Sequence, residues 1–157
     1  MTITWEKRSL QKCGGAMSSG SSLFVDTAGW AAYYDAGEVQ HQDAKLLYKL
    51  ALSEERGIVT TNFVITEVVG LFTSRLRVPR QTTIAFIDQL KNTSYIEIVH
   101  ISPLLDDQAW ELLKSRPDKD WSLVDCASFV VMRQRGITEA LTTDHHFEQA
   151  GFVRLLR

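Results

Sequence analysis

From Leu23 to its C-terminus the chain alternates short apolar or β-branched runs with longer segments of helical spacing, and few folds accept that order. Strands are predicted at Leu23-Phe24-Val25, Ile58 to Thr61, Tyr95 to Ile101, Ala140 to Thr143 and Phe152 to Leu156. Helices are predicted between them: Thr27 to Tyr34, Gln42 to Glu55, Asn62 to Leu76 and Thr82 to Leu90. A further helix opens at Pro103, and another runs from Ser122-Leu-Val-Asp125 to Gly136. In the second helix Ala44, Leu47, Tyr48 and Ala51 recur at three- and four-residue steps, which is one buried face. Ser122 and Asp125 have the spacing of a capping box, with Asp in place of Glu. Strands that each lead into a helix are joined most simply in parallel, so the pattern implies a mostly parallel sheet between helical layers.

Residues 1–22 differ in composition. Gly14, Gly15 and Gly20 are mixed with Ser18, Ser19, Ser21 and Ser22 without apolar periodicity, and the segment reads as a flexible leader before one domain spanning 23–157. Met17 lies just before the first strand, so the upstream residues read as an extension or a mis-assigned start. The chain has 157 residues, 45% of them hydrophobic, enough for a core that needs no disulfide. Cys13 and Cys126 stand in unlike settings and form no disulfide framework. No apolar run approaches the roughly 20 residues that span a bilayer, and the N-terminus lacks a secretory apolar core, so a cytoplasmic, non-membrane protein is expected.

The acids carry the chemistry. Asp26 directly follows the first strand and Asp144 the fourth, and ligands of open α/β sheets bind at the carboxyl ends of strands. Glu67 sits in a helix among Phe63, Val64, Val68, Val69, Leu71 and Phe72. Asp125 lies in the first turn of its helix, with Asp120 shortly before it. Converging carboxylates repel one another and are costly to bury unpaired, so such a cluster needs a cation. An all-oxygen donor set suits Mg²⁺ or Mn²⁺ rather than zinc, and a divalent ion so held activates water and stabilises charge on a phosphodiester. Taken singly, each acid has a plainer reading. Asp26, Asp125 and Asp144 are all placed to cap helices, and Glu67 could face solvent.

Other chemistries fit less well. A phosphatase using Asp26 as nucleophile would want a second Asp two positions on, where Ala28 stands. Neither a dinucleotide-binding nor a triphosphate-binding glycine motif occurs. His145-His146 lacks ligand-spaced partners for a zinc tetrahedron. The formal net charge of -2 excludes a broad positive field for nucleic acid. The local run Arg75-Leu-Arg77-Val-Pro-Arg80 is the candidate contact for RNA phosphates.

The ordered set resembles the PIN-domain family. The matching pieces are Leu23-Phe-Val-Asp26-Thr27, Thr60-Thr61-Asn62-Phe-Val-Ile-Thr-Glu67, Asp120-Trp-Ser122-Leu-Val-Asp125-Cys-Ala-Ser-Phe129 and Leu141-Thr-Thr-Asp144-His-His-Phe147. The resemblance implies a three-layer α/β/α sandwich in which Asp26, Glu67, Asp125 and Asp144 share one Mg²⁺ or Mn²⁺ site for hydrolytic RNA cleavage. Thr27, Asp120, Ser122 and Thr143 would then act as outer partners of the carboxylates. The length and the Ser122-Leu-Val-Asp125-Cys wording are most similar to VapC-type toxins. That similarity implies an RNA substrate, a small cognate antitoxin and a homodimer. The competing reading is a non-catalytic module of the same fold that binds RNA or protein.

Overall fold

The computed structural model describes residues 22–157; the predicted leader, apart from Ser22, lies outside them. The elements are β1 (Leu23–Val25), α1 (Thr27–Tyr34), α2 (His41–Ser53), β2 (Ile58–Thr61), α3 (Asn62–Ser74), α4 (Arg80–Asn92), β3 (Ile96–Val99), α5 (Pro103–Ser115), α6 (Leu123–Arg135), β4 (Glu139–Leu141), α7 (His146–Gln149) and β5 (Val153–Arg154). The strands form one sheet in the order β3-β2-β1-β4-β5, and every pairing is parallel. The expected mostly parallel sheet is therefore wholly parallel among the described residues. β1 and β2 are buried along their whole length, as parallel strands covered on both faces must be.

This order sets the location of the site. The chain winds from β1 outward through β2 to β3, then returns to the other side of β1 as β4 and β5. Connections therefore depart in opposite directions from the C-terminal ends of β1 and β4, which opens a crevice there. Large aromatic side chains hold the layers around it. Trp30 of α1 packs edge-on against Tyr33, Tyr48 and Phe86, and Phe129 of α6 packs edge-on against Phe147 and Trp121. Trp30, Phe129 and Phe147 are fully buried, each worth roughly 1.5–3 kcal/mol or more of removed apolar surface.

Several boundaries shift for local reasons. α4 begins at Arg80 rather than Thr82, because Pro79 occupies the N-cap position, where its missing N–H costs nothing. The third strand narrows from Tyr95–Ile101 to Ile96–Val99; at its end, Ile101 N–H donates to the Asn62 side chain at 2.8 Å instead of to a strand. The fourth strand ends at Leu141, two residues early, and its continuation is diverted into the crevice at Thr142. The expected closing strand, Phe152 to Leu156, is only Val153–Arg154. The short α7 was not predicted; four residues carry too little periodicity to read. α6 ends at Gly136, whose φ of 64° is the left-handed cap that glycine favours. No helix among the described residues is long and apolar enough to cross a membrane.

Candidate active site

A cleft of about 420 Å³ opens at the switch point, and all four predicted acids line it. Asp26 leaves β1 and caps α1. Its Oδ1 accepts from Gly29 N–H at 2.8 Å and its Oδ2 accepts from the Thr142 hydroxyl at 2.7 Å. The same Thr142 oxygen accepts from Asp144 N–H at 2.9 Å, so one hydroxyl ties the β1 acid to the β4 loop. Asp144 Oδ1 in turn accepts from His146 N–H at 2.9 Å. Glu67, on α3, accepts from the Thr27 hydroxyl at 2.6 Å. Asp125 Oδ2 accepts from Ser122 N–H at 2.9 Å while the Ser122 hydroxyl accepts from Asp125 N–H at 3.0 Å, completing the capping box. The cap and cleft readings of Asp26 and Asp125 are thus both met: one oxygen serves a helix end while the carboxylate lines the cleft.

The electrostatics are those of acids held together with only partial compensation. Burial is the main cause that lifts Asp26 to about 7; the hydrogen bonds from Thr142 and Gly29 oppose the rise, and the charges of Asp144 and Asp125 add to it. Glu67 is raised by burial first, with Thr27 opposing and Asp125 and Asp144 adding. Asp125 is also raised chiefly by burial, against hydrogen bonds from Ser122 and His146. Among the described residues no Arg or Lys forms an ion pair with any of the four. Only histidines approach. His146 Nδ1 lies 3.2 Å from Asp125 Oδ2 and 3.4 Å from Asp144 Oδ1, and His145 Nδ1 lies 3.8 Å from Asp144 Oδ1. A converging all-carboxylate set, in which Asp26 is buried, Asp125 and Asp144 are half-buried and Glu67 is open to the cleft, fits a hard divalent cation, which would relieve the repulsion.

The other expected residues divide. Thr27, Asp120, Ser122 and Thr143 all line the cleft, and the hydroxyl bond to Asp26 is made by Thr142, which is not among them. The arginine run is not one patch. Arg75 lines the cleft two helical turns beyond Glu67, and Arg80 lines a separate groove with Val69, Thr73, Thr83, Ile84 and Ile87. Arg77, with φ of 51°, sits in the turn between them. Sequence reasoning missed Thr142, Glu38 and His146. Glu38 carried no signal in its loop. His146 was weighed only as a zinc ligand, although its place two residues after Asp144 is where an Asx-type turn folds a side chain back.

Thr142 is testable directly. Thr142→Val keeps the shape but strips a donor from Asp26 and an acceptor from Asp144 N–H, and an unsatisfied buried group costs about 1–3 kcal/mol. Unfolding by urea in chelator should show that loss, with Thr142→Ser close to the parent. A Val variant as stable as the parent would deny the hydroxyl its linking role.

A wholly parallel sheet with acids gathered at its switch point defines a class, and the chain belongs to it: the PIN-domain family model matches residues 23–153. Within that family, 133 residues are 35% identical to the 23S rRNA-specific endonuclease VapC20 of Mycobacterium tuberculosis, in strains H37Rv and CDC 1551, covering 85% of this chain and 97% of the relative. The crystal structure of M. tuberculosis VapC20, described as a sarcin–ricin-loop-cleaving toxin, aligns with a TM-score of 0.75 at 32% identity. That alignment covers 87% of this chain and 100% of the other.

Proposed function

We propose that this chain is a divalent-metal-dependent endoribonuclease, the toxin of a toxin–antitoxin pair, with large-subunit ribosomal RNA as its substrate. The observation that carries the reading is the convergence of Asp26, Glu67, Asp125 and Asp144 on one cleft, none of them ion-paired with an Arg or Lys among the described residues, in a PIN-family chain similar to a 23S rRNA-specific endonuclease. These four side chains would hold Mg²⁺ or Mn²⁺. Bound there, such an ion supplies Lewis-acid stabilisation of the negative charge that grows on a phosphodiester under attack. The protein's part is placement: Thr27 orients Glu67, Thr142 orients Asp26 and the Asp144 loop, and Ser122 orients Asp125. Arg75 offers the cleft its positive charge for a neighbouring phosphate.

The same acids offer a handle for restraint. An antitoxin tail inserting an Arg or Lys among them would gain charge-assisted hydrogen bonds and compete with the metal. The setting is cytoplasmic and the active form a homodimer.

The test is cleavage of purified 23S rRNA and intact ribosomes with Mg²⁺, Mn²⁺ or chelator, with new ends mapped by primer extension. One metal-dependent cut in the sarcin–ricin loop is expected, together with growth arrest when the chain is expressed alone and relief when the adjacent antitoxin is supplied. Cuts elsewhere would keep the endonuclease and remove the substrate assignment. Intact RNA under every metal condition, with folded protein, would overturn the reading.

A further inference from the structure

Asp144 stands on a short, irregular segment after β4, and His146 opens the four-residue α7 that follows it; so short a stretch does not hold a side chain to a fraction of an ångström by itself. What holds it from behind is Arg154, on β5. Its Nη1 donates to the Thr143 carbonyl at 3.0 Å, one residue before Asp144, and its Nη2 lies 3.3 Å from Glu148 Oε2, on α7 two residues after His146. The guanidinium thus grips both ends of the stretch that carries the two cleft residues. The fork is half-buried: the Arg154 side chain is 21% exposed, and its buried Nε has no hydrogen-bond partner among the described residues. Placing a guanidinium with a buried, unpaired donor there costs stability rather than adding it. β5 itself is two residues long and pairs only with β4, so sheet formation does not explain the expense.

We infer that Arg154 is a positioning residue for the metal site, holding the Thr143–Glu148 segment so that Asp144 and His146 face Asp26 and Asp125. The inference rests on the proposed metal-dependent nuclease reading. Arg154 does not itself line the cleft; it acts through the backbone of Thr143 and the carboxylate of Glu148. A planar fork suits this task because its two donors are fixed relative to each other, whereas a lysine offers a single compact ammonium on a flexible stem without that fixed spacing.

The experiment measures Mn²⁺ binding to the RNA-free protein by calorimetry, and then kcat and KM for RNA cleavage across a Mn²⁺ titration. The variants are Arg154→Met, Arg154→Lys and Glu148→Ala; the last alters a partly exposed side chain and leaves the buried packing of Arg154 in place. Partners that orient metal ligands typically control roughly 10–100-fold in metal affinity or activity. Mn²⁺ binding should weaken by about 10-fold or more in Arg154→Met and Arg154→Lys, and by less in Glu148→Ala. The fall in kcat should be recovered partly at saturating Mn²⁺, with KM for RNA unchanged. A purely architectural Arg154 would lower the melting temperature and leave the metal affinity of the folded variants at the parent value. That outcome, or parent-like binding in Glu148→Ala and Arg154→Lys together, overturns the inference while parent cleavage keeps the nuclease reading. A parent protein that neither binds Mn²⁺ nor cuts RNA overturns both.

Discussion

Asp26→Asn is expected to reduce RNA cleavage by on the order of 10²-fold or more while making the metal-free protein more stable at neutral pH. The activity loss follows from removing one charge of the proposed metal site; electrostatic groups at a reacting centre are commonly worth that much. The fold should survive, because the amide oxygen can still accept from Gly29 N–H or Thr142, the two partners of the carboxylate. The stability gain comes from the buried charge. The folded-state pKa of Asp26 is raised from 3.8 to about 7, so the folded protein holds this proton when the unfolded chain has already released it. Folding is therefore favoured by this group at low pH, and that contribution is lost as pH rises from about 4 through about 7. The shift corresponds to a ceiling of about 4 kcal/mol, at 1.36 kcal/mol per unit. Asn does not titrate, so its advantage should be small near pH 4 and largest above pH 7. Urea unfolding of both proteins in chelator at pH 5 and pH 8 reads the difference. A gap that does not widen with pH would refute the buried-charge account, and parent-level cleavage by the Asn variant would remove Asp26 from the catalytic site.

The contrast between activity and stability explains how much was visible in the sequence. Asp26 and Asp144 could be placed because a strand end fixes where the next residue points, and the strand alternation located those ends. Asp125 was reachable through its capping box, which is a local pattern. The convergence of the four was legible only from their order and the family resemblance, since no periodicity relates residue 26 to residue 144. Thr142 and Thr143 are neighbours of the same type, and which hydroxyl meets Asp26 depends on where β4 ends, an edge that propensity locates only to within a few residues. Arg154 left no trace at all. Its role depends on β5 returning beside β4, a long-range pairing that brings residue 154 against residue 143.

The second large effect is expected at a position with no functional group. Gly29 lies in the first turn of α1, and a Cβ built there would be 1.9 Å from the Leu141 carbonyl oxygen, 2.9 Å from its carbon and 3.0 Å from Val25 Cγ1. Two of these are backbone atoms of the neighbouring strand, so no rotamer change removes the clash; α1 must move away from β4. That movement would pull Gly29 N–H from Asp26 Oδ1 and separate Asp26 from Thr142, which follows Leu141 directly. Alanine favours a helix over glycine by about 1 kcal/mol, yet overpacking costs typically 1–3 kcal/mol and more where backbone must yield. Gly29→Ala should therefore be destabilised by roughly 2 kcal/mol or more despite the better helix former. Cleavage should fall by about 10²-fold, the usual consequence of displacing a catalytic group by an ångström. Gly70→Ala is the matched control: Gly70 is also helical, in α3, and a Cβ there meets nothing within 4 Å. With only propensity acting, that variant should gain about 0.4–1 kcal/mol. Urea unfolding and RNA cleavage of the two variants side by side make the comparison. If Gly29→Ala matched Gly70→Ala in both, the close approach of α1 to β4 would not be what sets the geometry of the carboxylates.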